Sequence, residues 1–414
     1  MKRCVVVGSG AREHALAWAL AKSVDVVVTP GNDGIAAHGI TCVDSPATDL
    51  EADLFVIGPE LPLVEGLADV LRAQGKVVVG PGADGARLEG SKAFMKEFLH
   101  RAGVPSAAFG TFADVEAALA FLETMTAPYV IKTDGLAAGK GVLVTSDIAE
   151  ARRDVRDKLE GRSFGDAGTT VVIEEGLDGE ECSLLVLCDG ARVVALAPAQ
   201  DFKRVGDDDT GANTGGMGAY APMVTMTPAL VEEVMASIIE PTLRELVRRG
   251  IDFRGVLYAG VMLTSSGPKL LEYNVRFGDP ETEVLVPLLG DGLFELLTHV
   301  GEGRLASTSI GASGAAVTVV LASRGYPQHS SRGDVISGLG DDGQLARGVD
   351  GVIVFHAGSA LDDEGRFVTN GGRVLAVTGV GATIQEARRR AYEGASLITF
   401  EGRVMRNDIA HGAL

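Results

Sequence analysis

No apolar run in the chain reaches the roughly 18 residues that a membrane-spanning helix needs, and none is expected to cross a bilayer. Cysteine is scarce: Cys4, Cys42, Cys182 and Cys188 are the only four in 414 residues. None forms a CxxC pair, and Cys182 and Cys188 share no metal-type spacing with a histidine. Reduced, buried thiols in a cytoplasmic protein are expected, not a disulfide framework or a zinc site. Positive charge is in deficit, with 37 Lys and Arg against 56 Asp and Glu and a net charge of −19. That argues against a nucleic-acid partner, because phosphate neutralisation needs a basic face. The seven histidines form no HxxxH or HExxH pattern, and no Gly-x-Ser-x-Gly elbow is present. Metalloprotease-type zinc chemistry and serine-nucleophile chemistry are therefore not indicated. There is no internal repeat and no low-complexity linker.

What is present is a large apolar share, 46% of the chain, enough for several packed cores. The length implies more than one domain, since single cores stop growing near ~250–300 residues. Residues 1–100 read as alternating strands and helices, with strands at 5–7, 24–28, 54–57 and 76–79 and helices at 11–22 and 63–74. That alternation predicts an α/β, doubly wound parallel sheet, with ligand loops at its strand ends. Residues 101–314 read as a second unit. A small, mainly antiparallel α+β unit runs to about 190, its lid at about 120–190, with a helix at 114–123, strands at 129–132, 142–144, 170–174 and 182–187, and a helix at 147–160. A long helix at 228–249 and strands at 256–263 and 269–274 follow. Residues 315–414 form a third region with strands at 316–322, 352–356 and 373–378 and a helix at 384–396.

The most informative segment is Glu272-Tyr273-Asn274-Val275-Arg276-Phe277-Gly278-Asp279-Pro280-Glu281. Alternate side chains of a strand share a face, so Glu272, Asn274 and Arg276 point one way and Leu271, Tyr273 and Val275 the other. A carboxylate and an amide oxygen on one face suit a hard cation such as magnesium. Arg276 beside them can clamp a phosphoryl group or a carboxylate. An ordinary half-exposed strand shows the same alternation. The Gly-Asp-Pro-Glu turn, which fixes the strand end, favours the ligand reading.

Other segments add to it. The turn Thr133-Asp134-Gly135-Leu136-Ala137-Ala138-Gly139-Lys140-Gly141 follows Lys132 and lies between two strands. Its backbone N–H groups can approach phosphate oxygens, although a flexible hairpin has the same composition and it is no Walker A loop. Glu174 to Glu181 ends one strand and starts the next, which suits either a nucleotide edge or a plain acidic turn. Asn213-Thr214-Gly215-Gly216-Met217-Gly218 holds three glycines in four positions, read as close approach to a ligand or as a surface linker. Gly8-Ser9-Gly10-Ala11-Arg12-Glu13 starts like a dinucleotide fingerprint. Glu13 replaces the third glycine, and no acidic residue ends the second strand. A helix N-terminus holding one phosphate, aided by Arg12, remains a reasonable reading. His356 after its apolar strand reads as structural.

Taken together these motifs, with Gly58-Pro59-Glu60, Ser91-Lys92-Ala93-Phe94-Met95-Lys96, Gln200-Asp201-Phe202-Lys203-Arg204 and Phe355-His356-Ala357-Gly358, resemble the ATP-grasp ligases. Within them they resemble the phosphoribosylamine–glycine ligase (glycinamide ribonucleotide synthetase) family of purine biosynthesis. The resemblance runs in order along nearly the whole chain; Ala212 departs from it, where proline is expected. It implies an ATP-grasp fold with an N-terminal pre-ATP-grasp domain and a small C-terminal α+β domain. It also implies ligation of glycine to 5-phosphoribosylamine through a glycyl phosphate, with ATP as co-substrate and Mg2+ or Mn2+ as cofactor, in a cytoplasmic monomer. The implied roles are as follows. Glu272 and Asn274 hold the metal, and Arg276 and Lys132 act on the transferring phosphoryl group. Lys92 and Lys132 meet the phosphates or the adenine edge, and the turn of Gly139, Lys140 and Gly141 closes over the triphosphate. Glu174 and Leu177 meet adenine through the backbone and Glu181 the ribose, with Glu175 beside them. Asp201, Lys203, Asn213, Thr214, Gly215, Gly216, Asp279 and Pro280 line the acceptor site. Gly10, Arg12, Glu13, Gly34 and Glu60 approach phosphoribosylamine. A carboxylase-type ATP-grasp subunit, an NAD-dependent oxidoreductase resting on the Gly8 loop, and a non-catalytic nucleotide-binding regulator are the competing readings.

Overall fold

The computed structural model describes residues 1–136, 141–161, 170–306 and 313–413; Gly139 and Lys140 lie outside them. The first sheet is all parallel. Its strand order is Thr41–Cys42, Asp25–Pro30, Arg3–Gly8, Leu54–Ile57 and Val78–Val79. Val5, Val6 and Val7 are buried on both faces, as a central parallel strand requires. The helix Ala11–Leu20 is buried on nearly every side, because its alanines let it sit between the first sheet and the third region. The single helix expected at 63–74 is two, Glu60–Val64 and Leu67–Ala73. Gly66 between them takes φ +86, a left-handed conformation that ends one helix and starts the next.

The middle region holds two antiparallel four-stranded sheets. One orders Phe109–Phe112, Val171–Glu175, Tyr129–Thr133 and Val142–Thr145. The helices Val115–Leu122 and Ile148–Leu159 cover it and give it a separate small core around Leu122, Ile131, Val155 and Ile173. The other orders Val193–Ala195, Glu180–Asp189, Arg254–Thr264 and Gly267–Asn274. The long helix expected at 228–249 changes pitch: an α-helix Pro228–Val234, a π turn Met235–Ile239, then an α-helix Glu240–Arg248. Pro241 has no N–H to donate and its ring would strike the carbonyl four residues back, which the wider turn relieves.

The third sheet crosses the chain's regions. Gln200–Asp201 pairs with Gly218–Ala221, both from the middle region; Gly218–Ala221 pairs with Ala315–Ala322, that strand with Arg373–Gly381, and that one with Val352–His356. The helix Ile384–Leu397 packs on this sheet. The third region is thus bonded directly to the strand that follows the loop 213–216. All four cysteines are unbridged, and burial pushes the Cys182 and Cys188 thiols up to about 12, so neither is a thiolate. No single helix among the described residues is long and apolar enough to cross a membrane.

Candidate active site

A cleft of about 960 Å³ lies between the two middle sheets and runs to the first and third regions. Its floor is the strand Gly267–Asn274. Gly260 pairs with Glu272 and Val261 with Leu270, leaving Leu271 as an extra residue. This bulge breaks strict alternation. Leu270, Tyr273 and Val275 go into the core, while Leu271 joins Glu272, Asn274 and Arg276 on the cleft wall. The expected partition, with Leu271 on the core side, is corrected there. Leu271, Val130, Val142 and Met262 make the wall of the cleft apolar at this end.

Above the floor stands a buried charge triad. Glu174 receives Lys132 at 2.9 Å on one oxygen and Lys96 at 2.7 Å on the other. All three side chains are at most 7% exposed. Burial alone would raise the Glu174 carboxyl, but Lys132 and Lys96 hold it below its ordinary range. Burial opposes the Lys132 charge; Glu174 and then Glu272 outweigh it and raise its pKa. Glu174 therefore acts through its carboxylate. Its main chain lies in the sheet between Phe109 and Val130, which corrects the expectation that this backbone meets the nucleoside. Glu175 and Gly176 also donate their N–H groups within the protein, to Ala108 and Pro128. The next residue, Leu177, lines the cleft. Glu175 and Glu181 line the cleft, with Glu181 2.6 Å from Lys203.

Lys92 opens the helix Lys92–Ala102, capped by Ser91, whose hydroxyl accepts from Phe94 N–H at 3.1 Å. Its ammonium donates to the Gly135 carbonyl at 3.1 Å. Asp134 accepts from Ala93 N–H at 3.2 Å, so the helix start and the glycine-rich turn are tied together. Burial lowers the Lys92 pKa and the Glu272 charge opposes that. Glu272 thus sits within electrostatic reach of both Lys92 and Lys132.

Arg276 is held by Glu89 at 2.8 Å, by the Asn274 amide oxygen at 3.1 Å and by Glu60 at 3.5 Å. Burial opposes its charge, but Glu89 and Glu60 raise its pKa. Arg12 comes from the first region and donates to the Phe277 carbonyl at 3.2 Å. Among the described residues no three His, Cys, Asp or Glu side chains cluster as a metal site. Glu272 and Asn274 are the hard oxygen pair facing the cleft, which suits a cation that takes its other ligands from phosphate and water.

The far end is built from Asp201, Lys203, Asn213, Thr214 and Gly215, with Asp279 and Arg373 across from them. Arg373 belongs to the third region. It donates to the carbonyls of Gly215 and Asp279 and pairs with the Asp279 carboxylate at 3.1 Å. Protein neighbours crowd each of the three glycines. A Cβ on Gly215 would sit 3.1 Å from the Arg373 guanidinium carbon, and one on Gly216 only 2.4 Å from Pro280 Cδ. One on Gly218 would meet the Thr318 carbonyl at 2.6 Å. Close approach of protein, rather than of ligand, is what excludes side chains at 216 and 218.

Five expected residues do not line the cleft: Gly10, Glu13, Gly34, Gly216 and Pro280. Glu13 is 2% exposed, and its carboxylate accepts from Gly10 N–H and Arg12, both at 2.6 Å. It fixes the loop rather than reaching outward. Gly34 lies against His356, whose ring would be 2.0 Å from a Cβ there. His356 is fully buried and bonded to Ser359 and the Gly343 carbonyl. Glu89, Lys96, Leu271 and Arg373 were not foreseen as site residues. Lys96 follows Lys92 by one helical turn, and that i, i+4 spacing was its one readable signal.

Three family models match the chain: the phosphoribosylglycinamide synthetase N domain at residues 2–89, its ATP-grasp (A) domain at 90–282 and its C domain at 316–412. The chain is 48% identical to the phosphoribosylamine–glycine ligase of Mesorhizobium japonicum, over 99% of this chain and 98% of that protein. It is 46% identical to that of Escherichia coli O6:H1, over 100% and 99%. Among solved structures, phosphoribosylamine–glycine ligase of Thermotoga maritima matches with a TM-score of 0.87 and 38% identity, covering 99% of this chain and all of that one. A biotin carboxylase domain of Hydrogenobacter thermophilus shares the fold at a TM-score of 0.74 and 17% identity, over 98% and 91%.

Proposed function

The chain belongs to the phosphoribosylglycinamide synthetase family, and on that premise we propose how its cleft works. The reaction is the ATP-dependent, ADP-forming ligation of glycine to 5-phosphoribosylamine, which yields glycinamide ribonucleotide and phosphate. In our reading the glycine carboxylate attacks the γ-phosphorus of ATP, and the amine of phosphoribosylamine then displaces phosphate from the glycyl phosphate. Such chemistry depends on positioning and charge neutralisation rather than on a covalent nucleophile.

The observation that carries this reading is the convergence of Lys92, Lys132 and Arg276 on the wall that presents Glu272 and Asn274. The adenine would enter the apolar slot of Val130, Val142, Met262 and Leu271, with the backbone of Leu177 at its edge. Glu181 would take the ribose. Lys92 and Lys132 would contact phosphate oxygens. Arg276, already aligned by Glu89 and Glu60, would meet the transferring phosphoryl group without reorganising. Glu272 and Asn274 would hold a divalent ion, magnesium in our reading, which when bound supplies neutralisation of the triphosphate. Asp201, Lys203, the loop 213–215 and Asp279 would line the glycine and amine end. Arg12 and Glu60 would face the sugar phosphate. Gly10 and Glu13 would shape that loop from behind.

The test is isotopic. With glycine carrying oxygen-18 in both carboxylate positions, one labelled oxygen should appear in the released phosphate for each amide formed. Unlabelled phosphate at full turnover would contradict the acyl phosphate.

A further inference from the structure

We propose that Asp201 is the general base that removes the proton from the phosphoribosylamine nitrogen as it attacks the glycyl phosphate; this rests on the reading of the cleft given above. The second half-reaction needs such a base. The amine lone pair forms the C–N bond to the acyl carbon. The bond from that carbon to the phosphoryl oxygen breaks, and its electrons leave with phosphate. One amine proton must then go to an acceptor, here the Asp201 carboxylate.

The cleft wall narrows the choice. No histidine lines it among the described residues. Glu89 is committed to Arg276 at 2.8 Å and Glu174 to Lys96 and Lys132, while Glu60 stands beside Arg276 at the end read above as facing the sugar phosphate. Asp279 is held by Arg373. Glu281 accepts from Tyr258 at 2.6 Å and from Ser183 at 3.1 Å. Glu272 faces the nucleotide side. Lys203 gives its short contact, 2.6 Å, to Glu181 and leaves Asp201 at 3.4 Å. Asp201 is thus the half-compensated carboxylate at the acceptor end, with a side chain only 8% exposed.

Its surroundings suit the task. The strand Gln200–Asp201 faces Glu180 and Glu181 from one neighbouring strand, Tyr258 from the strand beyond it, Tyr220 opposite Gln200, and Glu281 from the turn. Burial raises the Asp201 pKa to about 7, Lys203 opposes this, and Glu281 and Glu181 add to it. A base poised near the working pH is the efficient one. Lys203 also feels the Glu272 charge, so this group borders the nucleotide side of the cleft.

The experiment separates the two half-reactions. Hydroxylamine, a nucleophile that needs no assistance, traps glycyl phosphate as glycine hydroxamate. Asp201→Asn should lower amide formation by about 10²–10⁴-fold and, at saturating glycine, lower hydroxamate formation at least tenfold less than it lowers amide formation. The unaltered enzyme should lose acceptor kcat/KM as pH falls through about 7, and Asp201→Asn should lack that limb. Asp201→Glu, which keeps a carboxylate one methylene further out, should keep the limb at a reduced rate. Amide formation by Asp201→Asn within tenfold of the unaltered enzyme, with the limb intact, would overturn the proposal. So would hydroxamate falling in parallel with amide while ATP still binds. If Asp201→Asn does not fold, an unchanged rate and limb in Asp201→Glu would overturn it. No hydroxamate from the unaltered enzyme would instead overturn the acyl phosphate reading beneath it.

Discussion

Replacing Lys96 by methionine removes a buried cation while nearly keeping its volume. Lys96 is fully buried, its ammonium is 2.7 Å from Glu174, and the Phe109 ring lies 5.8 Å away. Breaking a buried ion pair by removing one partner costs about 3–5 kcal/mol. Glu174 keeps Lys132 at 2.9 Å, which places the cost at the low end, about 3 kcal/mol. For a cooperative unit of domain size that lowers Tm by about 6–12 °C. The second consequence is functional. Glu174 left with one cation draws the Lys132 ammonium inward and away from the nucleotide. A weakened charged hydrogen bond is worth about 1.5–3 kcal/mol, so the KM for ATP should rise roughly 10- to 150-fold while the KM for glycine changes little. Calorimetry and initial rates measure both. Lys96→Met combined with Glu174→Gln should lose less stability than the sum of the two single changes, because the uncompensated carboxylate is gone. An unchanged Tm and ATP affinity in Lys96→Met, or strict additivity in the double variant, would refute the triad as described.

Arg373→Met should raise the KM for glycine and phosphoribosylamine at least tenfold and spare ATP affinity, since Arg373 holds Gly215 and Asp279 but contacts no group of the nucleotide end; equal losses for all three substrates in steady-state kinetics would count against this. Gly216→Ala should destabilise by about 1–3 kcal/mol in urea unfolding, because φ is +111 and a Cβ meets Pro280 at 2.4 Å; a neutral result would show that the loop moves freely. The protein should lose stability as pH falls below about 6.5. Burial pushes His356 down to about 4, so the unfolded chain binds its proton first, and about 3 kcal/mol is lost between those values. His356→Gln should flatten that acid slope in pH-dependent melts, and an unaltered slope would exclude His356 as its source.

Much of the fold was readable because periodicity is local. The valine strands, the alanine-rich first helix and the order of the three regions follow from patterns within a few residues. Breaks in a pattern were harder. The Leu271 bulge depends on how Gly260 and Val261 pair across the sheet, which no run of residues encodes. Pro241 marked a disturbance, but whether a helix stops, kinks or widens is decided by the packing around it. At the site, the shared face of Glu272, Asn274 and Arg276 was legible from alternation and Lys132 from the glycine-rich turn that follows it, whereas Lys92 came only with the family resemblance. Arg373 was not, because it reaches the cleft from a strand 94 positions after Asp279, the carboxylate it pairs with. The glycines at 215 and 216 were seen, but the protein neighbours that crowd them were not. Only the third dimension shows that Arg373 and Pro280 occupy the space their side chains would need.

Whether this cleft joins glycine to phosphoribosylamine is decided by ADP release with ATP, magnesium and glycine, with and without freshly prepared phosphoribosylamine. Turnover should depend on both small molecules and yield one glycinamide ribonucleotide per ADP. ADP release at the same rate without phosphoribosylamine, or none with both present, would contradict it.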